Sequence, residues 1–270
     1  MDPFTQGIVG TTVAQTASKQ NTVIIASIIG LLAGLAPDLD IFIRSNTDPL
    51  LFLEYHRHFT HSLIFIPVGA LICAFVFFYL FSKRFKLSFK ETYLYSFLGY
   101  ATHGIIDSFT TYGTLLLWPF TDHRIAWNTI SVIDPLFTIP IFILVFISLV
   151  KKNKIFSIYA ILWIFLYQTV AYSQKLRAED VIRNYAGTIG HVIETIEAKP
   201  SFGNIVVWKV IYSTPEKYYI NAIRLGLDHE IYSGESINKL DVSKSFPWLN
   251  NNSQQAKDIE KFRWFSNGYL

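Results

Sequence analysis

The sequence predicts an all-α polytopic membrane helical bundle, residues 1–174, followed by a small C-terminal α+β, β-rich soluble domain, residues 175–270. Only 16% of the 270 residues are charged, against about 25% in an average soluble domain. Long uncharged runs fill the first 174 residues. The last 96 residues carry 12 basic and 11 acidic side chains, an ordinary density for a domain in water.

Several uncharged runs approach the roughly 20 residues that a bilayer-spanning helix needs. Ser62–Ser82 is uncharged for 21 residues, Ile155–Gln174 for 20 and Gln20–Pro37 for 18. Pro135–Val150 adds 16 more. Pro3–Ser18 is apolar but rich in Gly, Thr and Ala, which predicts a short or re-entrant helix. No segment resembles a cleavable secretory signal, so we expect the N-terminus to be retained.

The charges of the membrane part are divided between its two sides. Eight of its eleven basic residues fall at Lys19, in the loop 83–90 and at 151–154, which the positive-inside rule assigns to the cytoplasm. The opposite loops collect most of the histidines and aspartates. Alternation of the helices places the C-terminal domain on that same outer side, so we expect the functional site there.

The C-terminal domain is predicted to begin with a short amphipathic helix near Leu176–Ala186. Strands are expected at His191–Glu197, Asn204–Ser213 and Lys217–Leu225, which are rich in β-branched and aromatic residues. A loop and terminal helix follow in 250–262.

Net charge and cysteine content exclude two classes of protein. A net charge of +3 is too small for a nucleic-acid footprint, so we expect no nucleic-acid partner. Cys73 is the one cysteine and permits no disulfide framework.

Two aspartates, Asp38 and Asp40, follow an apolar run directly. A charged side chain at membrane depth costs about 2.5–3.5 kcal/mol or more. The pair is therefore favoured where it binds a cation or faces water. Capping of the next turn is the alternative interpretation.

Three of the seven histidines, His56, His58 and His61, fall within six residues at the start of a long apolar run. On a helix, His58 and His61 would share one face. Imidazole suits zinc and other borderline metals. An interfacial belt of His and Arg that solvates lipid headgroups is the alternative.

His103 and Asp107 are spaced i,i+4 in a largely apolar stretch. This spacing predicts two ligands of one ion, or a ligand and its orienting carboxylate. A structural His–Asp hydrogen bond between helices is the alternative.

Together the three segments predict a centre for one or two divalent ions, with Zn²⁺ favoured and Mn²⁺ or Mg²⁺ possible. The predicted metal ligands are Asp38, Asp40, His56, His61, His103 and Asp107. This chemistry fits metal-assisted hydrolysis, with Asp40 or Asp107 as general base and Arg57 as an anion clamp. Arg57 and Arg124 could pair with a phosphate or with lipid headgroups.

Motifs in a fixed order along residues 1–175 resemble those of a known family. They are Met1-Asp2-Pro3-Phe4-Thr5, Pro37-Asp38-Leu39-Asp40, His56-Arg57-His58-Phe59-Thr60-His61-Ser62, His103-Gly104-Ile105-Ile106-Asp107, Thr111-Tyr112-Gly113-Thr114, Trp118-Pro119-Phe120 and Asp134-Pro135. The sequence is similar to the YdjM-like family of membrane-bound metal-dependent hydrolases, a LexA-associated inner-membrane family. The resemblance implies a multi-pass protein of the bacterial cytoplasmic (inner) membrane, and it carries over the six predicted ligands as the polar motif positions.

One departure from the family pattern stands at residue 6. The family usually has histidine after the threonine that corresponds to Thr5, whereas this sequence has Gln6. Glutamine is a poor zinc ligand, so we expect either that this position is not essential or that one metal site is weakened.

The sequence therefore predicts an integral-membrane, metal-dependent hydrolase with its site at the outer membrane–water interface. That location suits membrane lipids as partners and a lipid-borne ester or phosphoester as substrate. A non-catalytic protein that binds or transports a divalent metal is the first alternative. A membrane scaffold whose outer β-rich domain binds a partner is the second.

Overall fold

The computed structural model describes residues 1–270 as a mostly helical chain with a four-stranded antiparallel sheet near its C-terminus. The helices are α1 Pro3–Thr16, α2 Val23–Leu35, α3 Leu51–Tyr55, α4 Ile66–Phe77, α5 Phe89–Ser108, α6 Pro135–Lys151, α7 Ile155–Thr188, α8 Val242–Ser245 and α9 Gln254–Phe265. The strands are β1 Thr195–Pro200, β2 Val207–Ser213, β3 Lys217–Leu225 and β4 His229–Asn238. A 3₁₀ helix, Ala36–Phe42, extends α2, and a π-helical turn, Phe78–Ser82, extends α4.

Three helical segments are long and apolar enough to cross a membrane: Val23–Phe42, Leu63–Ser82 and Ile155–Thr188. They coincide with the three longest uncharged runs of the sequence. The fourth run forms α6, a shorter apolar helix of 17 residues. Large side chains such as Phe75 and Phe165 are 59% and 67% exposed, which suits a surface that faces hydrocarbon rather than water.

Local side-chain bonds explain where several helices begin. The Asp2 carboxylate accepts from the backbone N–H of Thr5 at the start of α1. Ser88 and Glu91 form a reciprocal capping box at the start of α5. The Asp134 carboxylate accepts from two backbone N–H groups at the start of α6.

The backbones of α1, α2 and α5 touch at glycines. A Cβ atom on Gly10 would lie 2.5 Å from the carbonyl oxygen of Gly30, and a Cβ on Gly99 would lie equally close to the same oxygen. Small residues allow this approach between membrane helices. The contact brings one end of α1 beside the ends of α2 and α5, where the predicted site residues lie.

The helix α7 runs without interruption from the membrane part into the C-terminal part. A separate helix at Leu176–Ala186 was therefore a wrong prediction, because no glycine or proline precedes Gly187 to break α7. Ala178, Ile182 and Ala186 of α7 pack against the sheet. The boundary predicted between residues 174 and 175 lies inside this helix, and the division into two domains stays a prediction.

The sheet has the strand order β1-β2-β3-β4, with every neighbouring pair antiparallel. Trp208, Val210 and Ile223 form its buried face against α7. The strands β1 and β2 begin later than predicted, at Thr195 and Val207. The strand β4 was not predicted, because nearly all of its side chains are exposed and many are polar.

Candidate metal centre

The predicted site residues come from three segments of the chain that meet at one end of the helices. Asp38 and Asp40 lie in the 3₁₀ extension of α2, and His103 and Asp107 lie in the last two turns of α5. His56 and His61 lie in the irregular segment between α3 and α4. This segment is not α-helical: Arg57 has a φ of 62°, and Phe59–His61 and Leu63–Phe65 form two short 3₁₀ turns.

The absence of a helix corrects one prediction. His58 and His61 do not share a helical face, because the backbone turns at Arg57. His58 packs instead against Trp118, with ring centroids 5.4 Å apart. His61 is 2% exposed and points among the aspartates.

Four side chains form what we call the central cluster: Asp38, His61, His103 and Asp107. One donor atom from each lies within 4.8 Å of all the others. The Asp38 Oδ1 atom lies 3.2 Å from His103 Nε2 and 3.5 Å from His61 Nε2. The Asp107 Oδ2 atom lies 3.4 Å from His61 Nε2. The Asp38 side chain is 26% exposed, so the central cluster reaches solvent at Asp38.

The second nitrogen of each clustered histidine faces hydrogen-bond acceptors. His103 Nδ1 donates to the Gly34 carbonyl at 2.5 Å. His61 Nδ1 lies 3.0 Å from Thr60 Oγ1 and 3.2 Å from Asp40 Oδ2. Each Nδ1 therefore carries a proton, and each Nε2 faces the Asp38 carboxylate, where a metal ion or a second proton would lie.

Two buried atoms of the central cluster have no hydrogen-bond partner: His61 Nε2 and Asp107 Oδ2. Buried polar atoms are almost always paired in folded proteins. At these distances the imidazole lone pairs and the carboxylate charges repel one another. The repulsion is removed when a cation or a proton lies between them. The donor set of two imidazoles and two carboxylates is one that divalent transition metals accept.

Asp40 and His56 form a supporting pair beside the central cluster. Asp40 Oδ1 accepts from His56 Nδ1 at 2.8 Å. Asp40 Oδ2 accepts from the Arg57 backbone N–H and from Thr60 Oγ1, both at 2.9 Å. Asp38, Asp40 and His56 also form a second group of possible ligands that overlaps the first.

Asp107 is surrounded by donors. Gln6 Nε2 donates to Asp107 Oδ1 at 2.7 Å, and Arg57 Nε lies 3.1 Å from Asp107 Oδ2. The Met1 amino group also contacts Asp107 Oδ1. Arg57 is 6% exposed and donates to Thr110 as well. Its guanidinium thus lies against a carboxylate of the centre and not toward solvent.

Sequence reasoning did not find three groups that contact this centre. Thr60 bridges Asp40 and His61, and Gln6 bonds a cluster carboxylate although only its departure from a family pattern drew attention to it. The Tyr112 ring lies 5.5 Å from that of His56 and 4.6 Å from the Arg57 guanidinium carbon. A polar residue inside an apolar helix is a usable signal for Gln6, whereas Tyr112 gives no comparable signal.

Comparison with known proteins places the first two thirds of the chain in a family. The model of the YdjM inner membrane protein family matches residues 1–178. The inner membrane protein YbcI of Escherichia coli (strain K12) is 31% identical over 108 residues, which are 38% of this chain and 60% of YbcI. The uncharacterized protein YfhP of Bacillus subtilis (strain 168) is 31% identical over 111 residues, 41% of this chain and 33% of YfhP. No solved structure matches.

Proposed function

The chain belongs to the YdjM inner membrane protein family, and we propose that it is a multi-pass, metal-dependent hydrolase of that membrane. The observation that carries the proposal is the pair of buried atoms, His61 Nε2 and Asp107 Oδ2, that lie 3.4 Å apart and have no hydrogen bond, although Arg57 Nε forms an ion pair with Asp107 Oδ2. The proposed ligands are the central cluster for a first ion, with Asp40 and His56 available to a second.

The charge balance favours a cation. Three carboxylates, Asp38, Asp40 and Asp107, face the guanidinium of Arg57 and the amino group of Met1. A net negative charge therefore remains for an ion to neutralise. The two imidazole ligands favour Zn²⁺, and the two carboxylates also suit Mn²⁺.

A divalent ion would supply Lewis acidity and lower the pKa of water that it binds. Of the two predicted general bases, Asp107 lies 3.4 Å from His61 Nε2 and pairs with Arg57 at 3.1 Å, whereas both Asp40 oxygens accept hydrogen bonds. Asp107 is the candidate base because it lies within the central cluster, and Asp40 holds His61 in place. The partly exposed Asp38 gives water and substrate a route to the centre.

The substrate class follows from the location of the centre. Asp38 and His61 lie directly beside the ends of two membrane-length segments, Val23–Phe42 and Leu63–Ser82. A centre at this depth suits an ester or phosphoester on a membrane lipid. The basic loops lie at the other ends of the helices, so we propose that the centre and the sheet face the extracytoplasmic side.

The test combines metal content with turnover. Full-length protein purified in detergent is analysed for bound metal, and it is assayed with Zn²⁺, Mn²⁺ or Mg²⁺ against lipid esters and phosphoesters. We expect His61→Ala and Asp107→Ala to lose both metal and turnover, and His58→Ala, three residues away, to keep both. Metal-free wild type would overturn the metal centre, because a proton then neutralises the cluster. A Gln6→His variant shows whether the departure at residue 6 lowers occupancy.

A second function is favoured by the number of protein ligands. Four protein ligands around one ion are typical of closed, structural zinc sites, whereas catalytic zinc sites keep one position open. A protein that stores or transports a divalent metal would retain metal without turnover. Uptake of Zn²⁺ or Mn²⁺ into proteoliposomes separates transport from hydrolysis.

A further inference from the structure

Arg124 is a buried cation that has no acidic partner. It lies in the loop between α5 and α6 and is 2% exposed. Its Nη2 atom donates to the Gly113 carbonyl at 2.9 Å, while Nε and Nη1 have no hydrogen-bond partner. No carboxylate oxygen lies within 4 Å of its guanidinium. Buried charges in proteins are normally paired, because an unpaired one loses its hydration without compensation.

The surroundings of Arg124 are aromatic and differ from those of Arg57. The guanidinium carbon of Arg124 lies 5.2–5.4 Å from the ring centroids of Tyr112, Trp264 and Phe265. Aromatic faces attract a cation but supply no counter-ion. Arg57 has Asp107 at 3.1 Å. Burial lowers the pKa of Arg124 to about 10, so the group is still charged at neutral pH.

A polar cavity of about 830 Å³ lies at Arg124, between the outer loop, the sheet and the C-terminal helix. Most other charges in its wall already have partners: Lys239 bonds Glu194 at 2.7 Å, and Lys175 pairs with Glu179 at 3.7 Å, whereas the carboxylate of Asp122 has no ion-pair partner. The wall also includes the side chains of Asn128 and Trp264. The cavity is large enough for a polar headgroup, and Arg124 is its buried cation without a counter-charge.

We propose that Arg124 binds the phosphate group of a ligand in this cavity. Nη2 has two hydrogens, and the one that does not bond Gly113 forms a two-hydrogen edge with the unpartnered Nε or Nη1. Such an edge matches two phosphate oxygens. Tyr112 connects this position to the metal centre, because its ring contacts both Arg124 and Arg57. The inference deepens the proposed function, on which it rests, by assigning a phosphate-bearing substrate and the residue that recognises it. The phosphate is either free or part of a lipid headgroup.

The test measures binding without metal, so that it is independent of catalysis. Full-length protein in detergent with EDTA is titrated calorimetrically with inorganic phosphate, dihexanoyl phosphatidic acid or uncharged dihexanoylglycerol. We expect saturable binding of a phosphate compound and none of dihexanoylglycerol. Tighter binding of the phosphatidic acid identifies a lipid headgroup, and equal binding of inorganic phosphate identifies the free ion.

Three variants decide whether Arg124 is responsible. Arg124→Gln should bind the phosphate compound at least ten-fold more weakly. Arg124→Lys keeps the charge but not the two-pronged geometry, so it should fold and still bind more weakly. Arg183→Gln removes one positive charge from an exposed position of α7 and should bind as wild type does.

Two results would overturn the proposal. One is equal affinity in wild type, Arg124→Gln and Arg124→Lys; the other is no binding of either phosphate compound to wild type. His61→Ala should keep phosphate binding while it loses metal. A failure of the metal centre is thereby distinguished from a failure of the phosphate site.

Discussion

The central cluster and the supporting pair lie side by side and differ in whether their polar atoms have partners. In the pair, each Asp40 oxygen accepts at least one hydrogen bond from the protein. In the cluster, His61 Nε2 and Asp107 Oδ2 are buried without a hydrogen bond, and Asp107 Oδ2 has only its ion pair with Arg57. Atoms without a hydrogen bond therefore mark the residues suited to bind a ligand. Residues whose atoms are fully hydrogen-bonded keep those ligand-binding residues in position. Three measurements can sharpen or break this distinction, and a fourth concerns an ion pair elsewhere in the chain.

The largest effect is expected from removing a member of the central cluster. His103→Ala deletes a nitrogen that faces Asp38 at 3.2 Å, so we expect metal affinity to fall by more than about 100-fold, beyond the loss typical of orienting residues. Competition with a chelator of known affinity measures the change. An affinity equal to that of wild type would remove His103 from the ligand set.

A smaller effect is expected from Asp40→Asn. The amide keeps the shape of Asp40 but weakens the acceptor beside His61 Nδ1, and the loss of an orienting carboxylate typically lowers metal affinity about 10- to 100-fold. The same chelator competition applies. If this loss equals that of His103→Ala, Asp40 is a direct ligand and the comparison fails.

A still smaller effect is expected from His56→Phe. His56 bonds Asp40 at 2.8 Å and packs its ring against that of His61, and its side chain is 18% exposed. We expect less than about a ten-fold loss of affinity for the first ion. Elemental analysis at saturating metal gives the stoichiometry. A drop from two ions to one would show that Asp38, Asp40 and His56 hold the second.

The smallest effect concerns the exposed ion pair between Lys261 of α9 and Asp48, whose atoms lie 2.7 Å apart. Their hydrogen bond lowers the pKa of Asp48 and raises that of Lys261. The contribution of Asp48 is present above its unfolded pKa of about 4 and disappears as pH falls through the lowered value. That of Lys261 is present below about pH 10 and disappears as pH rises through the raised value.

Limited proteolysis of the segment around α9 checks this prediction. We expect slightly faster cleavage at pH 3 than at pH 6 in wild type, with the small difference typical of exposed pairs. Lys261→Met should abolish the difference, while the exposed Lys257→Met should keep it. A difference that persists in Lys261→Met would assign the pH dependence to other groups.

The sequence was sufficient to predict the membrane-length segments and to predict that polar residues gather at one end of the helices. Uncharged runs and the ends of those runs are local properties, and they located the three membrane-length segments, although α7 continues from the run Ile155–Gln174 to Thr188. The role of each polar residue depends on contacts between distant segments. Asp40 bonds His56, Arg57 and Thr60 because the chain turns at Arg57, where a φ of 62° is unusual for a residue other than glycine.

The aromatic surroundings of Arg124 also could not be predicted from the sequence. Trp264 and Phe265 are about 140 positions away along the chain, and α9 reads as an ordinary polar terminal helix. The strand β4 was missed for a related reason, since alternation is visible in a sequence only when one face of a strand is buried. Arg124 depends on residues that are distant along the chain, whereas β4 pairs with the adjacent strand β3 at the edge of the sheet.

One structural consequence follows from α7, whose 34 residues form a rod about 50 Å long. Ala160, Tyr167 and Ala171 belong to the same core as Ile8 and Val9 of α1, while the far end of α7 is built into the sheet. No glycine or proline precedes Gly187 in α7. One continuous helix therefore joins the C-terminal sheet to the core that contains α1, the helix that carries Gln6.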